Sequence, residues 1–203
     1  RLRPKALDDF VGQDHLVGPD KPLRVAVEKG HRFSFILWGP PGSGKTTLAR
    51  IYARSLGAEL FELSAVSAGK DDIRQIVAFK TNKPKILFLD EIHRFNKAQQ
   101  DFLLPSVESG ELTLIGATTE NPSFEVISAL LSRCRVFVLD ELGSADMAKI
   151  LKRTGLKIPK EAGEWLVRMA NGDARQALTV LEAAERLYGK VTVETLTEAL
   201  QSK

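Results

Sequence analysis

Gly39-Pro-Pro-Gly-Ser-Gly-Lys-Thr46 decides how this chain is read. The stretch fits the pattern G-x-x-x-x-G-K-[ST], between an apolar run at 34–38 and a helical stretch at 45–56. Each part has a physical reason. Gly39, Gly42 and Gly44 let the backbone turn tightly and aim its N–H groups at phosphate oxygens. The N-terminus of a helix opening near Lys45 adds partial positive charge. Lys45 is placed to reach β- and γ-phosphates, and the Thr46 hydroxyl to ligate Mg²⁺. Pro41, Gly42, Ser43, Gly44, Lys45, Thr46 and Thr47 are the expected phosphate-binding residues. The bland alternative is a Gly/Pro-rich surface loop, which has no reason to sit at a strand-to-helix junction and end in Lys-Thr.

Outward from this loop, apolar runs at 34–38, 60–63, 86–90, 112–118 and 136–139 alternate with helical spacing at 45–56, 71–79 and 98–107. Bounded apolar runs separated by helices predict a parallel sheet covered on both faces. Pro105 falls inside the 98–107 stretch and is expected to kink or end it. The first thirty residues read as an irregular arm followed by a short helix at 23–29. From Ser144 onward only helical periodicity remains, at 144–153, 160–170, 174–188 and 193–201, punctuated by Gly155, Pro159, Gly172 and Gly189. The expected organisation is an α/β nucleotide-binding domain at 1–140 and a helical lid domain at 141–203.

Ile86-Leu-Phe-Leu-Asp-Glu91 is an apolar strand ending in two carboxylates. Asp90 would hold Mg²⁺ through water, opposite Thr46. Glu91 would polarise water towards a γ-phosphate, which hydrolysis needs and a small-molecule kinase must avoid. Alone, an acidic turn after a strand is ordinary. Downstream of a phosphate loop it predicts chemistry.

Composition narrows the setting. The 203 residues are 43% hydrophobic and 27% charged, ordinary for a globular protein with a real core. The 29 basic and 26 acidic residues leave a net charge of +3, too small to demonstrate nucleic-acid binding. A single cysteine, Cys134, excludes an intrachain disulfide framework and suits a reducing compartment. No apolar run approaches the length of a membrane span, so no membrane partner is expected. His15, His31, His93 and Cys134 lack metal-ligand spacing. The start at Arg1, without an initiator Met, is read as a fragment or processed product.

Further residues carry a resemblance. Arg3-Pro4 with Leu7-Asp-Asp-Phe-Val-Gly-Gln13 resembles the adenine-covering segment of AAA+ clamp loaders and their relatives. Asp90-Glu-Ile-His-Arg-Phe-Asn-Lys97 with Gln99-Gln100, Gly116-Ala-Thr-Thr-Glu-Asn-Pro-Ser-Phe124 and Leu131-Ser-Arg-Cys134 are similar to the replication-associated recombination protein A family. That family includes the maintenance-of-genome-stability and Werner-helicase-interacting ATPases. The Thr-Glu-Asn-Pro-Ser-Phe stretch separates it from general clamp loaders and Holliday-junction motors. The likeness runs from Arg3 through Gly172-Asp-Ala-Arg175.

The resemblance implies an AAA+ P-loop ATPase: a five-stranded parallel sheet sandwiched by helices, then a small helical lid. It implies ATP and Mg²⁺, with Phe10, Val11 and Gly12 contacting adenine. Thr119 matches sensor 1, with Thr118 one position away. Arg133 matches an arginine finger acting on a neighbouring subunit's ATP, and Arg175 matches sensor 2. For each, an ordinary packing or surface role is the competing account. His93 and Arg94 have either a nucleotide-sensing role or a structural one. Lys70, Arg74, Lys80, Lys83 and Lys85 form either a nucleic-acid contact or a solvated basic face.

The leading expectation is a DNA-stimulated ATPase that maintains DNA at forks, gaps or ends. Expected partners are single-strand/double-strand junctions, single-strand binding protein and other copies of itself. Expected locations are the bacterial cytoplasm at the nucleoid or, for a eukaryotic chain, the nucleus. The alternatives are a clamp-loader subunit or branch-migration motor, an ATP-regulated adaptor, and a small-molecule kinase. Relatives carry a C-terminal oligomerising region beyond this length, and 76–85 and 152–159 look short for the family.

Overall fold

The structure, a computed structural model, describes residues 3–202. It divides into two compact units, one of Pro4–Gly39 and Lys45–Leu139, the other of Pro40–Gly44 and the chain from Asp140 onward.

The first unit opens with a 3₁₀ turn at Leu7–Asp9, then α1 (Asp14–Val17), α2 (Pro22–Lys29), β1 (Phe35–Trp38) and α3 (Lys45–Ser55). There follow β2 (Glu59–Ser64), α4 (Lys70–Ala78), β3 (Lys85–Asp90), a 3₁₀ turn at Ile92–Arg94, α5 (Lys97–Glu108) and β4 (Thr113–Thr118). Two short helices, α6 (Pro122–Glu125) and α7 (Ser128–Leu131), lead to β5 (Arg135–Val138). The sheet is five-stranded, in the order β2-β3-β4-β1-β5. Every pairing is parallel, as the bounded apolar runs predicted.

Alternation along the strands assigns the two faces. Phe35 and Leu37 of β1, Ile86 and Phe88 of β3, and Ile115 and Ala117 of β4 pack with Leu48, Ile51 and Tyr52 of α3. Ile36, Leu87, Leu89 and Leu114 point the other way, into a core with Ile73 and Ile76 of α4 and Leu103 and Val107 of α5. Burial on both faces is why these strands read as unbroken apolar runs.

Three expectations need correction. The N-terminal arm carries the turn at Leu7–Asp9 and α1, elements of three and four residues that are too short to show periodicity. Of the kink or end expected at Pro105, the end does not fall there: helix α5 runs through Pro105 to Glu108. Proline removes the donor to the Asp101 carbonyl, but Asp101 is exposed and water can serve it, so the helix ends only three residues later. Helices α6 and α7 were not expected, since a single turn leaves no pattern; α6 is set by Asn121, whose side chain accepts from the Ser123 N–H at 3.0 Å.

In the second unit α8 (Ser144–Arg153), α9 (Lys160–Ala170), α10 (Ala174–Tyr188) and α11 (Val193–Gln201) surround their own core. Met147, Leu151, Leu166, Val180, Leu181 and Leu196 are buried in it. Asp173 caps α10 by accepting from the Gln176 N–H at 3.0 Å, and Gly189 ends it with φ of 64°.

Candidate active site

In a parallel sheet the loops after the strands leave from one edge, and ligands bind there. Strand β4 lies between β3 and β1, with Leu89 opposite Gly116 and Trp38 opposite Thr118. The segments after β1, β3 and β4 therefore emerge side by side. The Gly39 N–H donates to the Thr118 carbonyl at 3.1 Å, fixing the start of the phosphate loop to the end of β4. Lys45 Nζ donates to the Gly39 carbonyl at 2.6 Å.

The loop glycines do different jobs. Gly42 and Gly44 have φ of 71° and 108°, a region an L side chain resists. Gly39 has no such conformation; a Cβ there would lie 2.8 Å from Leu139, so its smallness serves close approach rather than turning. Ser43 is buried and donates to the Pro40 carbonyl at 2.8 Å, bracing the loop from inside. Within the helical unit, a Cβ on Gly42 would collide with Asp173, the residue that caps α10. Arg175 is exposed and lies 3.9 Å from that same carboxylate.

Asp90 closes β3, and its Oδ1 accepts from the Glu91 N–H at 2.9 Å. Glu91 has φ of 54°, ψ of 43°. This left-handed conformation costs a residue with a Cβ about 1–2 kcal/mol. The Glu91 carboxylate is thus held, exposed, on a strained turn. Ile92, fully buried, anchors that turn against β4, where a Cβ on Gly116 would sit 2.9 Å from Ile92 Cδ1.

Thr118, which ends β4, and Thr119, which follows it, are not equivalent. Thr118 is buried; its Oγ1 meets His93 Nδ1 at 2.9 Å, accepts from the Glu120 N–H at 2.9 Å and donates to the Glu120 carbonyl at 3.2 Å. Thr119 is exposed. Gln100 is the other residue whose role was missed. Its side chain is buried; Nε2 donates to the carbonyls of Phe95 at 3.0 Å and Glu125 at 2.9 Å, and Oε1 accepts from the Ile127 N–H at 2.8 Å. It ties the Glu91 turn to the segment after Thr119. The available signal was a polar residue in line with Leu103 and Val107 on the apolar face of α5.

Other candidates stand apart. Phe10 packs on the β1–α3 core, Val11 is half-buried, and Gly12 is buried with φ of 85°. His15 Nε2 bonds the Val138 carbonyl at 2.7 Å, tying this arm to β5. Arg133 is exposed and pairs with Glu108 at 3.4 Å. The basic cluster is not one face. Lys85 Nζ donates to the carbonyls of Ile76 at 3.1 Å and Val77 at 2.6 Å, so it caps α4 instead of facing solvent. Lys70 and Arg74 lie over the Phe102 ring at 5.8 and 4.8 Å, and Arg74 pairs with Asp71. Beside them, Ser67, Gly69, Asn96 and Gln99 help line an open polar cavity of about 630 Å³. Burial pushes the Cys134 thiol up to about 12. Among the described residues, no helix is long and apolar enough to cross a membrane.

The model of the ATPase family associated with various cellular activities matches residues 35–142. Replication-associated recombination protein A of Coxiella burnetii is 53% identical over 197 residues, covering 90% of this chain and 44% of that protein. The ATPase WRNIP1 of Dictyostelium discoideum is 45% identical over 199 residues, covering 91% of this chain and 23% of that protein. The chain thus spans less than half of these curated relatives. A solved structure of the Thermotoga maritima RuvB Holliday junction branch migration motor superposes with a TM-score of 0.77 at 28% identity, covering 98% of this chain and 72% of that one.

Proposed function

The chain belongs to the AAA family of ATPases, and from that premise we propose that it hydrolyses ATP to maintain DNA at replication forks, gaps or ends. One observation supports the chemistry above the others: the phosphate loop, the Asp90-Glu91 pair and Thr119 leave the same sheet edge from adjacent strands. The support for DNA maintenance is the identity to replication-associated recombination proteins, which runs over 90% of the chain.

The donor set fits a nucleotide and a hard cation. Backbone N–H groups of 42–46, a lysine ammonium and the helix N-terminus suit phosphate. The Thr46 hydroxyl and Asp90 carboxylate are hard oxygen donors, right for Mg²⁺, which when bound would neutralise phosphate charge. The chain's own residues supply the rest. Phe10, Val11 and Gly12 cover adenine. Lys45 holds the terminal phosphates, while Glu91 orients a water for in-line attack on the γ-phosphate. Thr119 hydrogen-bonds that water or the γ-phosphate, and Arg175 acts as a second sensor of that phosphate. Arg133 of a neighbouring copy stabilises the charge developing there, so the protein works as a homo-oligomer.

DNA is the substrate surface, at single-strand/double-strand junctions where single-strand binding protein also sits. The protein acts where the chromosome is, in the bacterial nucleoid or a nucleus. The RuvB likeness favours a second reading, a branch-migration motor. Rates of ATP hydrolysis by the full-length protein on blunt, gapped, forked, single-stranded and four-way-junction DNA separate these. Stimulation by forks or gaps supports the first; stimulation by four-way junctions alone supports the second. Equal rates with and without every DNA would refute both. Glu91→Gln is expected to bind ATP and not turn it over.

A further inference from the structure

The turn that carries Glu91 is strained, so something must over-determine it. Two contacts dock it on β4. One is apolar: Ile92 fills the space that the missing Cβ of Gly116 leaves. The other is polar: His93 Nδ1 meets Thr118 Oγ1 at 2.9 Å. Thr118 already gives its hydroxyl proton to the Glu120 carbonyl and takes the Glu120 N–H. With the hydroxyl proton directed to the Glu120 carbonyl, its remaining capacity is as an acceptor, and His93 Nδ1 is assigned as the donor. This one bond joins the turn after β3 to the turn after β4, that is, the segment presenting Glu91 to the segment presenting Thr119. Sequence separation hides it, because the two partners lie 25 residues apart.

We propose that His93 is a positioning residue for hydrolysis: its Nδ1–H, bonded to Thr118, sets the distance between the Glu91 carboxylate and the Thr119 hydroxyl. The proposal rests on the reading of Glu91 and Thr119 as the groups that orient the attacking water. A water held by two groups is placed only as well as those groups are placed relative to each other, and a misplacement of about 1 Å can cost on the order of 100-fold in rate. Nucleotide binding, which rests on the phosphate loop, should not depend on it.

The test compares full-length His93→Leu, His93→Asn and Thr118→Val with wild type, in equilibrium binding of a fluorescent ATP analogue and in steady-state hydrolysis of ATP. His93→Leu should bind the analogue within about twofold of wild type while kcat falls ~10- to 100-fold. His93→Asn places an amide N–H where Nδ1–H stood and should recover most of that loss. The double variant His93→Leu/Thr118→Val should be no slower than Thr118→Val, because the bond lost in His93→Leu is already lost there, together with the two that Thr118 makes to Glu120. The proposal is overturned if His93→Leu turns over normally, if binding falls along with kcat, if His93→Asn is no better than His93→Leu, or if the two losses multiply. Glu91→Gln separates the two levels. Normal hydrolysis by Glu91→Gln sinks the reading of the site itself; an inactive Glu91→Gln beside a normal His93→Leu sinks the proposal alone.

Discussion

Replacing Gln100 with Leu would keep the volume of the side chain and remove its hydrogen bonds. The wild-type amide makes three, to the Phe95 and Glu125 carbonyls and the Ile127 N–H, from a residue 2% exposed. Each such bond contributes about 0.5–1.5 kcal/mol net, and a buried group left without a partner costs about 1–3 kcal/mol. Part of the loss is recovered by burying an apolar side chain and by local shifts that let water in. The expected destabilisation is therefore about 2–5 kcal/mol, a large share of what holds a domain together. The chain has two tryptophans, Trp38 at the end of β1 and Trp165 in α9. In a Trp165→Phe background, urea unfolding followed by fluorescence reports Trp38, and hence the sheet unit. The neighbouring Gln99→Leu loses only its exchange with the Asn96 N–H at 2.9 Å, on the surface, and should cost about 1 kcal/mol or less. If Gln100→Leu unfolds within about 0.5 kcal/mol of its parent, the buried amide is not what fixes the segment after Thr119, and the reasoning fails.

Three further outcomes follow from particular contacts. Lys85→Met should weaken the sheet unit by about 1 kcal/mol in the same unfolding assay, because two α4 carbonyls lose their donor, whereas Lys80→Met should be neutral. Gly42→Ala places a Cβ at φ of 71° and against Asp173, so ATP affinity in equilibrium binding should fall by at least tenfold, from a conformational cost of about 1–2 kcal/mol before the clash. Cys134, whose thiol burial pushes up to about 12, should resist alkylation at pH 8 until the protein unfolds. Because the fold raises that value above the unfolded one, the linked stability is fully present below about pH 8.5 and declines as pH rises towards 12; Cys134→Ala should flatten that decline in unfolding measured against pH.

What was legible in the sequence is what lies contiguous in it. The phosphate loop and the Asp90-Glu91 pair are local strings whose residue types have no other common use together. The parallel sheet followed because both faces of β1, β3 and β4 are buried, which makes their apolar runs continuous. Pairings across the sheet were not legible. His93 and Thr118 are 25 positions apart, and nothing in either segment names the other. Charge was misleading at Lys85, where a long side chain on a strand turns to cap the neighbouring helix, so a basic residue in a basic stretch is not part of a basic surface. Gly39 is small for a different reason than expected, close approach to Leu139 rather than backbone turning. Pro105 shows the limit of a local rule: losing one hydrogen bond on the solvent side of α5 is too small a penalty to end it early.

The most direct measurement is a mixing experiment with two full-length variants. On the proposed reading, Glu91→Gln retains its arginine and lacks the group that orients water, and Arg133→Ala retains Glu91 and lacks the finger. Each should hydrolyse ATP at no more than about one hundredth of the wild-type rate. If Arg133 completes a neighbour's site, mixing them must restore activity well above either alone, because intact sites form where Glu91→Gln donates its arginine to an Arg133→Ala neighbour. A mixture as inactive as its components, or full activity in Arg133→Ala alone, would contradict the shared site.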